Sequence, residues 1–406
     1  MQLNKEKINN HQVFSLVADY TLGTTILSVI SGVAEYAAQD AWIVALITPF
    51  MGFPFLLLYF YMAKLFPGKT LVEILQDVFG KWLGGVLSAY IVFLVCFLSV
   101  SQIVFYIGNF MRTEYMTETP LYAFNTFLVI AIVVGLMYGL ECIARTSEIF
   151  FYIINFLVLL VIILDIPNIK FENLFPVAEN GMVPILKGCL YLNSYMAWPL
   201  IIFMMFCPLN VADIQKNRKS FYHGYFWASF LNFLCTIMSI MILGAAITAQ
   251  TNYPTYLISQ EINVSVITRV EGVVTFSWMC TEFIKVSVYF YAGLVGLKQL
   301  FGLNDYKKLI IPISLVLLIF SGVVYPNAQY QNRWDSTVWS LVIGSIATVF
   351  PISIIVVKKI KDAVQHFQAM KINEKESYEY IQSLLYLGLA ALIIILSFLF
   401  MKFLLL

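Results

Sequence analysis

Ten or eleven apolar stretches, each long enough to cross a bilayer, run from Val13 to Leu405 with short polar gaps between them. Hydrocarbon offers no partner to a backbone N–H or C=O, so each stretch must close its own hydrogen bonds as a helix. The fold class that follows is an all-α integral membrane bundle. Eleven spans are expected, near 13–33, 41–62, 83–110, 121–139, 148–165, 185–206, 222–249, 271–297, 309–325, 337–357 and 381–405. The 83–110 and 222–249 stretches exceed the roughly 20 residues a span needs, which implies tilt or protruding ends.

Composition narrows the function. Charged residues make up 12% of the chain, about half the share usual in soluble domains, so a large water-facing core is excluded. A net charge of +1 gives nothing to attract nucleic acid. Six scattered cysteines form no CxxC or Cys/His cluster, and only His11, His223 and His366 are present, so no metal site or other cofactor is expected. A P-loop, a nucleophile elbow and a GxGxxG turn are all missing, which argues against an enzyme. The polar start MQLNKEKINNHQ precedes an apolar segment with no small-residue cleavage site behind it, so that segment reads as a retained helix.

Seventeen of the 24 lysines and arginines fall in alternate gaps, on the side of the N-terminus. That bias predicts a cytoplasmic N-terminus. The gap at about 166–184, with Pro167, Pro176 and Pro184, divides the chain into 1–165 and 185–357, each with five spans. An odd number per half inverts the second half relative to the first, as in inverted-repeat transporters. The stretch 358–380 then reads as a charged cytoplasmic linker and 381–406 as an additional transmembrane helix.

In inverted-repeat transporters the first helix of each half is broken at mid-membrane, where free backbone groups meet the ligand. The first span carries Gly23, Thr24 and Thr25 about ten residues in, roughly 15 Å deep. The sixth carries Asn193-Ser194 and Trp198-Pro199 near its middle, and Pro199 frees a carbonyl. Small-residue packing and a simple proline kink are the bland alternatives; breakers in corresponding places favour a ligand site. The candidate contacts are Gly23, Thr24, Thr25, Tyr106, Asn193, Ser194, Trp198 and Pro199.

Three charges lie inside predicted spans: Asp19 in the first, Glu282 and Lys285 in the eighth. Buried charges need partners or water. Glu282 and Lys285, three residues apart, share a helix face. Either they form an internal ion pair, or Lys285 faces the broken first helix and Asp19, standing in for a coupling cation.

Several segments resemble the spore germination permease family, the B-type subunits of nutrient germinant receptors. They are LGTTILSV, the entry QDAWIVALI, the loop FPGKTLVEILQDVFGKWLGG, and RVEGVVTFSW followed by EFIKVSVYFYAGLVGLKQLFGL. The lead-in KINNHQVFSLV fits as well. The landmarks extend from residue 7 to about 357. The resemblance implies a fold of the amino acid–polyamine–organocation transporter type and residence in the spore inner membrane. It also implies an A-type membrane subunit and a C-type lipoprotein as partners, and a small nutrient, often an amino acid such as alanine, at the central site. Binding would trigger ion and dipicolinate release through partners. The chain departs from the pattern twice. Relatives usually carry a glycine and then an acid in the middle of helix six, where this chain has Pro199 and Ile201. Relatives usually stop after ten helices.

Three functions remain open at this level: a nutrient sensor, a proton- or sodium-coupled amino acid transporter, and a structural receptor subunit that binds no ligand.

Overall fold

The computed structural model describes residues 8–211, 214–260 and 270–370, and is all-helical over them apart from one isolated bridge, Ile8 to Val211. The predicted span at 381–405 and residues 371–380 of the 358–380 linker lie outside the described residues, as does Arg269.

Helix α1 (Asn10–Leu22) starts at a capping box, in which Asn9 accepts from the Gln12 amide at 2.8 Å and Gln12 accepts from the Asn9 amide at 3.0 Å. It stops at Gly23, and a 3-10 turn over Thr24–Ile26 leads into α2 (Val29–Ala37). The first span is therefore two half-helices around a break. Next come α3 (Ala41–Leu65), α4 (Leu71–Tyr90), a π-helical stretch at Ile91–Phe97 and α5 (Leu98–Glu114). The segment expected as a loop at 66–85 is helical from Leu71, because Thr70 and Glu73 form a second capping box. Gly80, at φ 82°, then kinks it, so the long third span is a short capped helix followed by the crossing helix.

Helices α6 (Leu121–Tyr138) and α7 (Leu140–Asp165) sit at the periphery. Phe127, Ile130 and Val134 on α6, and Ile149, Tyr152, Ile153 and Phe156 on α7, are exposed at helical spacing, which marks lipid-facing stripes. The sixth span comprises α8 (Met182–Asn193), a turn over 194–197, and a 3-10 helix at Trp198–Met205. It closes with the one-turn α9 (Cys207–Asn210). Pro199 sits at the start of the 3-10 helix, where its missing N–H costs nothing.

The seventh span, α10 (Ile214–Gln250), breaks at Gly244 with φ 77°, a value that favours glycine. This accounts for its excess length, because the last turn leaves the helix axis. It is followed by α11 (Pro254–Gln260), α12 (Glu271–Leu300), α13 (Lys307–Ser321), the short α14 (Ala328–Arg333), a π-helical stretch at Trp334–Val338, and α15 (Trp339–Met370).

Helix α12 and the broken sixth span are almost wholly buried and form the centre of the bundle. Helix α1 packs on α7, α10 and α12, and α2 packs on α8 and α10; Tyr20 donates to the Pro199 carbonyl at 3.3 Å and Thr24 and Pro199 line one cavity, so the two breaks lie side by side. The parallel Ile8–Val211 bridge ties the start of the first span to the end of the sixth on the N-terminal face. Among the described residues, eight helical stretches are long and apolar enough to cross a membrane. Ten of the eleven expected spans have helical counterparts among the described residues. Five of the six cysteines are buried, Cys142 is half-buried, and all are free.

Candidate binding site at the helix breaks

Gly23 is where the first span meets α12. A methyl group at its Cα would lie 2.5 Å from Lys285 Cδ, 3.2 Å from Lys285 Cβ and 3.3 Å from Glu282 Oε2. The absence of a side chain thus lets the acid–base pair of α12 reach the break. Glu282 is fully buried beside the Thr24 hydroxyl and the Trp278 indole. Lys285 is 2% exposed. Its Nζ lies 5.6 Å from the centre of the Tyr20 ring and has no hydrogen-bond partner. Glu282 and Lys285 do not form an ion pair within 4.0 Å. The charges share a helix face, as the spacing implies, but the lysine extends toward the broken helix.

Asp19 takes a different route. Its Oδ2 accepts from Ser147 Oγ of α7 at 2.7 Å, while Oδ1 has no partner. The lysine therefore stands over the Tyr20 ring and Gly23, and the acid bonds to the neighbouring span.

A small cavity of about 20 Å³ lies at the breaks, lined by Thr24, Gln102, Tyr106, Tyr195, Pro199, Lys285, Tyr289, Asp335 and Trp339, among others. That is room for about one water. Above it, on the face opposite the N-terminus, opens a polar vestibule of about 260 Å³ bordered by α2, the break at 249–253 and α14. Thr24, Tyr106, Tyr195 and Asp335 line both spaces and separate them. Tyr106 donates to Asp335 Oδ1 at 2.5 Å, and Tyr325 reaches the same oxygen at 3.1 Å. The two hydroxyls are 2.6 Å apart. Tyr195 donates to the Asp335 carbonyl at 2.8 Å, and Trp339 Nε1 donates to the Ser194 carbonyl at 3.0 Å, which locks the tenth span to the break in the sixth.

Of the residues singled out in the sequence, Thr24, Tyr106, Pro199 and Lys285 line the cavity and Gly23 backs onto Lys285. Thr25 does not line it: its hydroxyl closes back on the Thr21 and Leu22 carbonyls at 3.1 and 2.9 Å, satisfying groups the break sets free. Ser194 bonds to the Tyr191 carbonyl and to Ser340. Asn193 packs toward Gly52 of α3, and Trp198 is buried against Phe55. Ser194, Asn193 and Trp198 therefore hold the break in shape from behind. Asp335 escaped sequence reasoning because apolar residues begin only at about 337, which placed it in a loop. The signal was Asn327, whose side chain caps the Tyr330 amide at 2.8 Å and starts the helix two turns before Asp335.

Two interrupted helices converging on a small cavity between a polar vestibule and a buried lysine define the class: a bundle of the secondary-transporter type. The fold is similar to that of MhsT in complex with L-phenylalanine (TM-score 0.61, 12% identity, 86% of this chain and 90% of that one). It is likewise similar to MHP1, a nucleobase-cation-symport-1 family transporter in a closed conformation with bromovinylhydantoin bound (TM-score 0.59, 12% identity, 87% and 81%). The chain itself belongs to the spore germination protein family, whose model matches residues 7–329. It is 24% identical over 361 residues to spore germination protein KB of Bacillus subtilis (strain 168), covering 87% of this chain and 95% of that protein. It is 23% identical over 364 residues to spore germination protein YndE of the same organism, with 87% and 96% covered. To spore germination protein GerQB of Bacillus cereus it is 22% identical over 355 residues, with 84% and 92% covered.

Proposed function

We propose that this chain is the permease-like, nutrient-sensing subunit of a spore germinant receptor. A small nutrient, an amino acid by preference, binds between the breaks of the first and sixth spans and favours one conformation of the bundle. An A-type membrane subunit and a C-type lipoprotein read that change in the spore inner membrane, with the N-terminus of this chain cytoplasmic. The halves 1–165 and 185–357 act as the two moving repeats, and 381–406 docks a partner. The observation that carries this reading is the convergence of both breaks on one small cavity that shares Thr24, Tyr106, Tyr195 and Asp335 with the polar vestibule. Signalling requires that the nutrient bind the two conformations with different affinity.

A second reading, a cation-coupled transporter, draws support from Lys285, a buried ammonium with no hydrogen-bond partner at the break of the first helix. Proteoliposomes of the purified chain separate the two. Equilibrium binding of amino acids without gradient-driven uptake supports the sensor. Concentrative uptake that collapses in Lys285→Ala would make it a transporter. Absence of binding would leave a structural subunit. Deleting 381–406 is expected to weaken partner association and spare ligand binding.

A further inference from the structure

The sixth span brings no acid to the pocket, only Tyr195 and Pro199, but the pocket does not lack a carboxylate. Asp335 reaches it from the π-helical stretch of the tenth span. Lys285 lines the same pocket from α12, and its buried ammonium has no hydrogen-bond acceptor. The buried Glu282 carboxylate shares its helix face but makes no hydrogen bond to it, so an anionic group entering the pocket would give the ammonium a direct acceptor. Asp335 differs in that it also faces the vestibule. Among the described residues the vestibule lining holds two carboxylates, Glu35 and Asp335, and no lysine or arginine, which favours cations at its floor. At that floor the Asp335 carboxylate is capped by the Tyr106 and Tyr325 hydroxyls, with Gln331 beside it. Hydroxyls are weaker partners for a carboxylate than an ammonium is, so a cation can displace them.

We propose that Asp335 and Lys285 are the two charge readers of a small zwitterion, with the ammonium held at Asp335 and the carboxylate at Lys285. The inference rests on the reading of this pocket as the nutrient site and adds to it an orientation and the two residues that read the charges. The cavity holds about one water when closed, so the ligand is small and enters by parting Tyr106 and Tyr325 from Asp335. Recognition and opening are then one event, because the group that binds is the group that releases the tyrosines.

The test is thermal stabilisation of the purified full chain by each of the twenty amino acids, with propionate, ethylamine, glucose and uracil as controls. One or more small amino acids should stabilise the wild type, while propionate and ethylamine bind at least about tenfold more weakly, since each lacks one charge-assisted contact. Asp335→Asn and Lys285→Met should each weaken the amino acid by about tenfold or more. Tyr325→Phe removes a competing hydroxyl and should tighten binding about threefold. It also decides the matter if Asp335→Asn does not fold, because unchanged or weaker binding in Tyr325→Phe refutes displacement. Wild-type affinity in Asp335→Asn, or no stabilisation by any amino acid, overturns the proposal. Stabilisation by glucose or uracil alone would overturn the zwitterion and keep the nutrient site. Undiminished stabilisation of Thr24→Trp, whose indole would fill the cavity, would instead sink the site itself.

Discussion

Replacing Gly23 with alanine tests whether the contact between the broken first span and α12 is set by shape. The added methyl would sit 2.5 Å from Lys285 Cδ and 3.2 Å from Lys285 Cβ. Ordinary carbon contacts need about 3.5–4.0 Å, so the lysine stem must move by about 1 Å in a site with no spare room. Overpacking of this kind costs about 1–3 kcal/mol, a factor of roughly 5 to 150 in the folding equilibrium. The assay is unfolding in sodium dodecyl sulfate of the detergent-purified chain, as a double-mutant cycle. Lys285→Ala removes Cδ and with it the severe clash, so Gly23→Ala should cost at least about 1 kcal/mol less in that background. Lys285→Met keeps an unbranched chain with a heavy atom where Cδ stood, so it should give no relief although the charge is gone. Additivity of Gly23→Ala and Lys285→Ala within about 0.5 kcal/mol would refute steric coupling. Relief by Lys285→Met would move the cause from shape to charge.

Further outcomes are expected from the same assay. Ser147→Ala should cost about 1–3 kcal/mol, because it strips the buried Asp19 carboxylate of its hydrogen bond, and Asp19→Asn should recover part of that loss. Gly108→Ala should be destabilising because its methyl would run into Asn125 Oδ1 and approach Leu121 Cδ1 at 2.9 Å; Asn125→Ala should rescue it. On its own, Asn125→Ala should cost only about 0.6 kcal/mol, the usual value of an interhelical membrane hydrogen bond such as its contact to Ser321. Thr70→Ala should cost about 1 kcal/mol, since it removes a helix cap and the 2.9 Å contact to Gln299 at the end of α12.

The bundle was legible because hydrocarbon imposes helices and the polar gaps mark their ends. The breaks were legible because Gly23 and Pro199 alter backbone chemistry wherever they stand. The direction in which their neighbours face was not legible. Thr24 and Thr25 are adjacent and alike, yet one lines the cavity and the other bonds to its own helix. The face was invisible at Asn193 and Ser194 too, where side chains support the turn rather than the pocket. Asp335 was missed for another reason. Hydropathy locates the apolar part of a span, but a helix starts at its cap, and here the cap at Asn327 precedes the apolar run by about ten residues. For Lys285 the spacing to Glu282 identified the shared face, and only Gly23, by leaving space, showed which way the lysine extends.

Both spans that bring the pocket its tyrosine and its carboxylate, the third and the tenth, are wound too loosely at one point: Ile91–Phe97 before Tyr106, and Trp334–Val338 at Asp335 itself. A π turn carries one residue more than the α turn it replaces. Rewinding it to the tighter form advances one residue, which swivels everything beyond it by about 100° around the axis. Each of these spans thus holds one residue of slack beside the pocket. A swivel of that size turns Asp335 or Tyr106 toward or away from the other and carries the rest of its span with it, so a change at the pocket is passed along the rod to the surface of the bundle.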